Sequence, residues 1–264
     1  MKGFLIFKHA LFMVLRNWKE ALKIGLIPWS ITLIVFFAVF GSAGVEALTT
    51  VSSYDLGYQL GARQAYGKLI FVGVVGTFCA LWVAINWHRY VLLEEYPEHW
   101  IPNIKLSRIF AYLGQCFLLG LAIFAITLAV TLVSSLIGVV IAAVVDGGRS
   151  GAAIVMGGVG ILINLIIGIV FYRMIAVLPA VAVGDSLSIG KAFDATKGAN
   201  FSIFVLLLIN FAVNFVLQFL VGLSALASQE VAMVLGLLSA SVLGLTNISV
   251  LTTFYGHYVE GREI

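Results

Sequence analysis

Charge is what this chain has least of. Asp, Glu, Lys and Arg make up 10% of its 264 residues, 62% are hydrophobic, and mean hydropathy is +1.11. That leaves too little polar surface to cover a water-soluble fold, which excludes the soluble globular class and points to an integral membrane protein. Cysteine is nearly absent as well. Cys79 and Cys116 both lie inside apolar runs, which excludes a disulfide framework or a paired Cys-X-X-Cys site. The net charge of +3 is too small to signal a nucleic-acid partner. Enzyme signatures are missing too: there is no phosphate-cradling glycine loop, no nucleophile with a base at a recognisable spacing, and no metal-hydrolase helix motif. The loops between apolar runs are too short to house a separate catalytic domain. A non-enzymatic protein without a cofactor is therefore expected.

What is present is apolar sequence of spanning length. A hydrocarbon core of about 30 Å needs roughly 20 apolar residues in a helix. Six runs qualify, near 24–44, 69–90, 115–144, 153–177, 202–223 and 232–257. Lipid offers the backbone no hydrogen-bond partners, so these runs are expected to be helices despite their Val and Ile content. The first run follows a basic segment and ends in small residues, as a secretory leader does. Its length, Ile24 to Gly44, and the long amphipathic stretch before it favour a retained span.

No Asp, Glu, Lys or Arg lies in the central part of any run. Proton-coupled pumps and ion-driven transporters usually keep such groups there, so those classes are disfavoured. Lys and Arg outside the runs are unevenly divided. One side holds Lys2, Lys8, Arg16, Lys19, Lys23, Arg89, Lys105, Arg108, Arg173, Lys191, Lys197 and Arg262, and the other only Arg63, Lys68 and Arg149. By the positive-inside rule both termini are expected in the cytoplasm.

The segments that lead into the odd-numbered runs carry a second pattern. Phe4, Phe7, Leu11, Val14, Leu15, Trp18 and Leu22 recur at helical spacing among Lys8, Arg16, Lys19 and Lys23. This predicts an amphipathic helix with its apolar face in the acyl boundary and its cations near headgroups. Residues 104–114 and 187–199 are shorter versions, the latter opened by Asp185-Ser186-Leu187-Ser188, which is good N-cap chemistry.

An interval of 84 residues relates three of the run ends. Trp87-His88-Arg89-Tyr90-Val91, Phe171-Tyr172-Arg173-Met174-Ile175 and Tyr255-Gly256-His257-Tyr258-Val259 each open on an aromatic residue and close on a β-branched one. A basic or potentially basic residue stands third in each. Gly76, Gly160 and Gly244 recur eleven residues before each aromatic. The expected fold is therefore all-α and integral to the membrane: one domain over 1–264, built as three pseudo-repeated hairpins, near 1–90, 104–177 and 187–258. Each hairpin would be preceded by an amphipathic interfacial helix.

Few side chains stand out as candidates for function. Asn210, Asn214 and Gln218 share one face of the fifth run, and Asn164 and Asn247 lie near mid-depth in the fourth and sixth. Amides facing lipid are costly, so they are expected to point inward, either as a polar groove between hairpins or as interhelical hydrogen bonds. Arg89, Arg173 and His257 stand at the inner helix ends, where they can bind lipid phosphate or simply snorkel to the headgroups. His88, Glu95 and His99 match no known ligand spacing, so no metal site is expected. The small residues Gly76, Ala80 and Ala84, then Gly236, Ala240 and Gly244, repeat every fourth position and read as helix-packing scaffold. Pro179 is expected to end the fourth span.

One stretch is familiar. Phe171-Tyr172-Arg173-Met174-Ile175-Ala176-Val177-Leu178-Pro179-Ala180-Val181-Ala182-Val183-Gly184-Asp185, followed by Ser188, Ala192 and Ala195-Thr196-Lys197-Gly198, resembles a motif of YciC-like six-span bacterial inner-membrane proteins. It is also similar to the membrane domain attached to some glycerophosphoryl diester phosphodiesterases. The resemblance implies the bacterial cytoplasmic membrane, six helices and inside termini. It implies no catalysis, because those phosphodiesterases work through a soluble domain that this chain lacks.

Two functional readings remain. The first is an accessory or scaffold component of a membrane complex. The second is a lipid- or amphiphile-binding or transport protein with its groove between hairpins. The partners expected are membrane lipids, anionic ones included, and a membrane-protein complex, with no nucleic acid.

Overall fold

A computed structural model describes residues 2–50, 62–144 and 148–264, with side chains described for 2–41, 66–140 and 156–264. Helices account for nearly all of it: α1 (Lys2–Arg16), α2 (Trp18–Thr50), α3 (Ala62–Leu93), α4 (Leu106–Val144), α5 (Gly148–Ile175), α6 (Val177–Val183), α7 (Ile189–Ala195), α8 (Asn200–Ala225) and α9 (Gln229–Tyr258). Six stretches are long and apolar enough to cross a membrane: Trp18–Gly41, Tyr66–Leu93, Leu106–Val140, Met156–Val183, Asn200–Ala225 and Gln229–Tyr258. This is a multi-pass membrane protein. The segments 51–61 and 145–147 lie outside the described residues, as do the side chains of Arg63 and Arg149.

The amphipathic stretch at the start is divided where the sequence pattern runs on. Asn17 sits between α1 and α2; its backbone N–H and its Nδ2 both donate to the Met13 carbonyl, at 3.2 and 2.8 Å. That satisfies an orphan carbonyl at the end of α1, and Trp18 to Lys23 then form the first turns of α2. Nor does α1 offer a single apolar face to lipid. Gly3, Ile6, Phe7, Ala10 and Val14 are buried against α8 and α9, while Phe4, Leu15 and Trp18 are exposed.

At Gly3 the α1 backbone packs tightly against α8. A Cβ there would stand 2.3 Å from the Ser202 carbonyl oxygen and 3.0 Å from the Val205 Cβ. Gly3→Ala is expected to lift the first turn of α1 away from α8 and to lower stability by about 1–2 kcal/mol. Protease nicking of that turn in detergent would read it; unchanged cleavage would refute the close packing.

Two further expectations change. Residues 106–114 form no separate surface helix: they are the first turns of α4, which continues unbroken for 39 residues. At 1.5 Å per residue α4 is about 58 Å long, well beyond the hydrocarbon thickness. Pro179 does not end the fourth span. The helix breaks three residues earlier, at Ala176, and Pro179 lies in the first turn of α6. A proline there lacks an N–H that no helical partner would take, and its ring disfavours the carbonyl four residues back from staying in the helix. Within 187–199 a separate short helix does form, over Ile189–Ala195. Ser188 caps α7, its hydroxyl accepting from the Lys191 N–H at 3.3 Å.

Burial gathers at the end of the molecule that holds both described termini. Ile6, Phe7, Trp82, Ile85, Ile109, Tyr112, Leu206 and Phe254 sit in one cluster there. Towards the other end Leu128, Leu132, Leu136, Ile161, Ile166 and Leu220 are exposed, as lipid-facing side chains are. α6 is the plug of the packed end. Val177, Leu178, Pro179, Ala180 and Ala182 are buried, and α6 touches α3, α4 and α9. It stops at Gly184, whose φ of 103° suits glycine and whose N–H returns to the Ala180 carbonyl.

Of the small-residue stripes, Gly76 lies against Thr32 of α2 and Gly236 against Val221 of α8. Ala84 is buried. Ala80, Ala240 and Gly244 are exposed, so only part of each stripe lines a helix contact.

Candidate functional site

The intramembrane amides separate into three places. Asn164 is exposed, and its Nδ2 donates to the Gly160 carbonyl of its own helix at 2.8 Å. Gln218 lies in a hollow of about 410 Å³ between α8 and α9, with Gly222, Gly236 and Ala240. The other three converge. Asn210 and Asn214 of α8 and Asn247 of α9 line one open groove of about 760 Å³. Gly168, Phe171, Tyr172 and Ile175 of α5 form its opposite wall, and Leu207, Phe211, Ile248 and Leu251 complete it. The face of α8 drawn from the sequence thus loses Gln218 and gains Asn247 from the neighbouring helix. The i, i+4, i+8 spacing within one helix could not reveal a partner on another.

These three amides form a directed chain. Asn214 Nδ2 donates to the Asn210 Oδ1 at 2.8 Å and to the Asn210 carbonyl at 2.9 Å. Asn210 Nδ2 in turn donates to the Asn247 Oδ1. Asn214 has spent both N–H groups and keeps its Oδ1 as an acceptor, while Asn247 keeps its whole NH₂. Among the described residues neither remaining group has a protein partner, and the Tyr172 hydroxyl on the facing wall has none either.

Arg89 and Arg173 are occupied by the protein itself. Arg89 Nη1 donates to the Ala182 and Val183 carbonyls at the end of α6, at 3.0 and 3.3 Å. Its Nε donates to Glu95 Oε2 at 2.9 Å, and Nη2 pairs with the other carboxylate oxygen. The Arg89 side chain is 12% exposed. Lys105 Nζ adds a second cation 2.5 Å from Glu95. The hydrogen bond from Arg89, with further help from Lys105, holds the Glu95 carboxyl down to about 2. Arg173 donates from Nε to Thr196 Oγ1 at 3.0 Å and from Nη2 to the Phe193 carbonyl at 2.5 Å. Its guanidinium stacks 4.4 Å from the Phe193 ring centroid. Each arginine ties the end of a span to a following short helix. His257 is engaged by the segment after α9, its Nδ1 lying 2.9 Å from the Arg262 carbonyl.

A buried polar group that the sequence reading left aside joins three helices. His88 is wholly buried, with Nδ1 2.8 Å from Thr252 Oγ1 of α9 and Nε2 3.2 Å from the Tyr112 hydroxyl of α4. The Thr252 hydroxyl already donates to the Ile248 carbonyl at 2.7 Å. His88 Nδ1 must therefore carry the proton, and Nε2 accepts from Tyr112. Among the described residues no cluster of His, Cys, Asp and Glu is placed to hold a metal ion.

No family model matches this chain, and neither a curated protein nor a solved structure matches it.

Proposed function

We propose that this protein binds a membrane amphiphile in the groove between α5, α8 and α9, without catalysing a reaction. The observation that carries the reading is the convergence of Asn210, Asn214 and Asn247 on one open, otherwise apolar groove. Helix packing alone would favour amides paired within a closed contact. Here hydrogen-bonding capacity is left over and faces a space large enough for part of a lipid.

The surrounding architecture follows the same proposal. Both termini lie in the cytoplasm, as the Lys and Arg distribution supports, and the membrane is the bacterial inner membrane, as the resemblance to the YciC-like proteins suggests. The exposed Phe4 and Leu15 of α1, with Trp18 at the start of α2, enter the acyl boundary on the side not docked to α8 and α9. The three hairpins descend from one ancestral unit. What supports this is the sequence itself: the aromatic-led helix ends and Gly76, Gly160 and Gly244 recur at the 84-residue interval. The resemblance to the YciC-like proteins fits the same topology.

The test is the triple replacement Asn210→Leu, Asn214→Leu and Asn247→Leu, with native mass spectrometry of the protein extracted in its own membrane. Interhelical amide bonds are worth about 0.6 kcal/mol each, so the variant is expected to fold and to lose co-extracted lipid. Lipid retained at the level of the unmodified protein would refute the reading, and a chain that no longer folds would reduce the amides to packing.

One feature favours the accessory reading instead. α4 presents Phe110, Phe117 and Phe124 at seven-residue intervals, all exposed, and a heptad stripe suits a partner helix. A stoichiometric protein partner in the same spectrum, lost on replacing these residues by Ala, would establish it.

A further inference from the structure

Resting on the groove reading, we infer that the ligand is an uncharged, hydrogen-bonding lipid of the acylglycerol class rather than a phospholipid. The first argument is charge. No Asp, Glu, Lys or Arg lines the groove between α5, α8 and α9. The cation nearest in sequence to its wall, Arg173, follows Tyr172 directly but is committed elsewhere: to Thr196, to the Phe193 carbonyl and to the Phe193 ring. A phosphate entering the groove would lose its water and gain no counter-charge, which is a strongly unfavourable exchange.

The second argument is hydrogen-bond complementarity. The directed amide chain leaves two N–H donors on Asn247 at one end and the Oδ1 acceptor of Asn214 at the other. Tyr172, on the facing wall, adds a hydroxyl that can donate or accept. An ester carbonyl beside a free hydroxyl, as in a diacylglycerol, offers an acceptor to Asn247 or Tyr172 and a donor to Asn214. Phe171, Ile175, Phe211 and Leu251 supply the apolar walls for its chains. A hydrocarbon without polar groups would leave the three terminal groups unpaired, so it is also selected against.

The full chain would be placed in phosphatidylcholine nanodiscs with a photoactivatable dioleoylglycerol probe or, in parallel, a photoactivatable dioleoyl-phosphatidylglycerol probe. Labelled peptides would be mapped by mass spectrometry. The diacylglycerol probe is expected to label peptides of α5, α8 and α9 that line the groove, and excess unlabelled dioleoylglycerol should displace it. Asn247→Leu is expected to reduce that labelling about tenfold, the effect of losing a well-made hydrogen bond. Should Asn247→Leu fail to incorporate, Tyr172→Phe carries the same test, because it removes only the hydroxyl and keeps the ring packed 5.7 Å from that of Phe254. Equal or stronger groove labelling by the phosphatidylglycerol probe would overturn this inference while leaving the groove an amphiphile site. Groove labelling by neither probe would overturn this inference, and together with no co-extracted lipid in the native spectrum it would overturn the groove reading as well. Labelling that both substitutions leave unchanged would overturn the part assigned to these polar groups.

Discussion

Replacing Arg89 by Ala is expected to destabilise the protein by about 3 kcal/mol, the loss of hydrogen bonds from a charged donor within a largely buried setting. The substitution leaves the Ala182 and Val183 carbonyls without their side-chain donor and takes the first cation from Glu95. Glu95→Gln should cost distinctly less. Its side chain is 42% exposed, so water replaces much of what the guanidinium supplied. The measurement is the unfolding midpoint in mixed micelles, and the order of the two variants is the test. A costlier Glu95→Gln would place the ion pair, rather than the helix-end carbonyls, at the centre of the junction.

The same pair gives a pH dependence of known sign. The Glu95 carboxyl is held down from 4.5 to about 2 by Arg89 and Lys105. A group whose folded value is depressed contributes stability that is fully present above its unfolded value and is lost as pH falls towards the folded one. Stability is therefore expected to lose this contribution progressively between about 4.5 and 2. Glu95→Gln should flatten that part of the profile, and identical acid profiles for the two proteins would exclude the assignment.

The second large effect is expected at His88. His88→Leu leaves the buried Tyr112 hydroxyl without its acceptor and removes a donor from Thr252, at a cost of about 2–3 kcal/mol. Tyr112→Phe orphans the imidazole Nε2 and should cost about 1–3 kcal/mol. Combined, the two should cost less than their sum by 1 kcal/mol or more, because the double variant leaves neither member of the pair unsatisfied. Strict additivity would mean that the pair is not bonded. His88 belongs to α3 and Tyr112 to α4, so this cycle also tests whether those two helices are fastened to each other at the packed end.

Much of the architecture was legible without coordinates. Apolar length alone located six spanning helices, since a bilayer allows an isolated segment no other way to satisfy its backbone. Ser188 was readable as a cap because capping depends on a few neighbouring residues. The interior was harder to read. The face of α1 that docks on α8 and α9 is made of Gly3, Ile6, Phe7, Ala10 and Val14, and in a chain this apolar one hydrophobic face looks like another whether lipid or protein covers it. The joining of residues 106–114 to the third run in one helix, and the helix break at Ala176 rather than at Pro179, likewise appeared only in the structure.

The candidate site divides along the same line. Sequence by itself determined that amides lie within the spans, that charge does not, and that arginines stand at the helix ends, because each of these is a property of position along one helix. Only the tertiary structure decided which amides meet. Asn247 joins Asn210 and Asn214 across a helix boundary, and Gln218 and Asn164 fall elsewhere. It also decided what the arginines hold. Arg89 and Arg173 reach the protein's own carbonyls, because α6 and α7 fold back to within hydrogen-bonding distance of them. A partner on another helix is set by how helices pack, and spacing within a single helix carries no record of that packing.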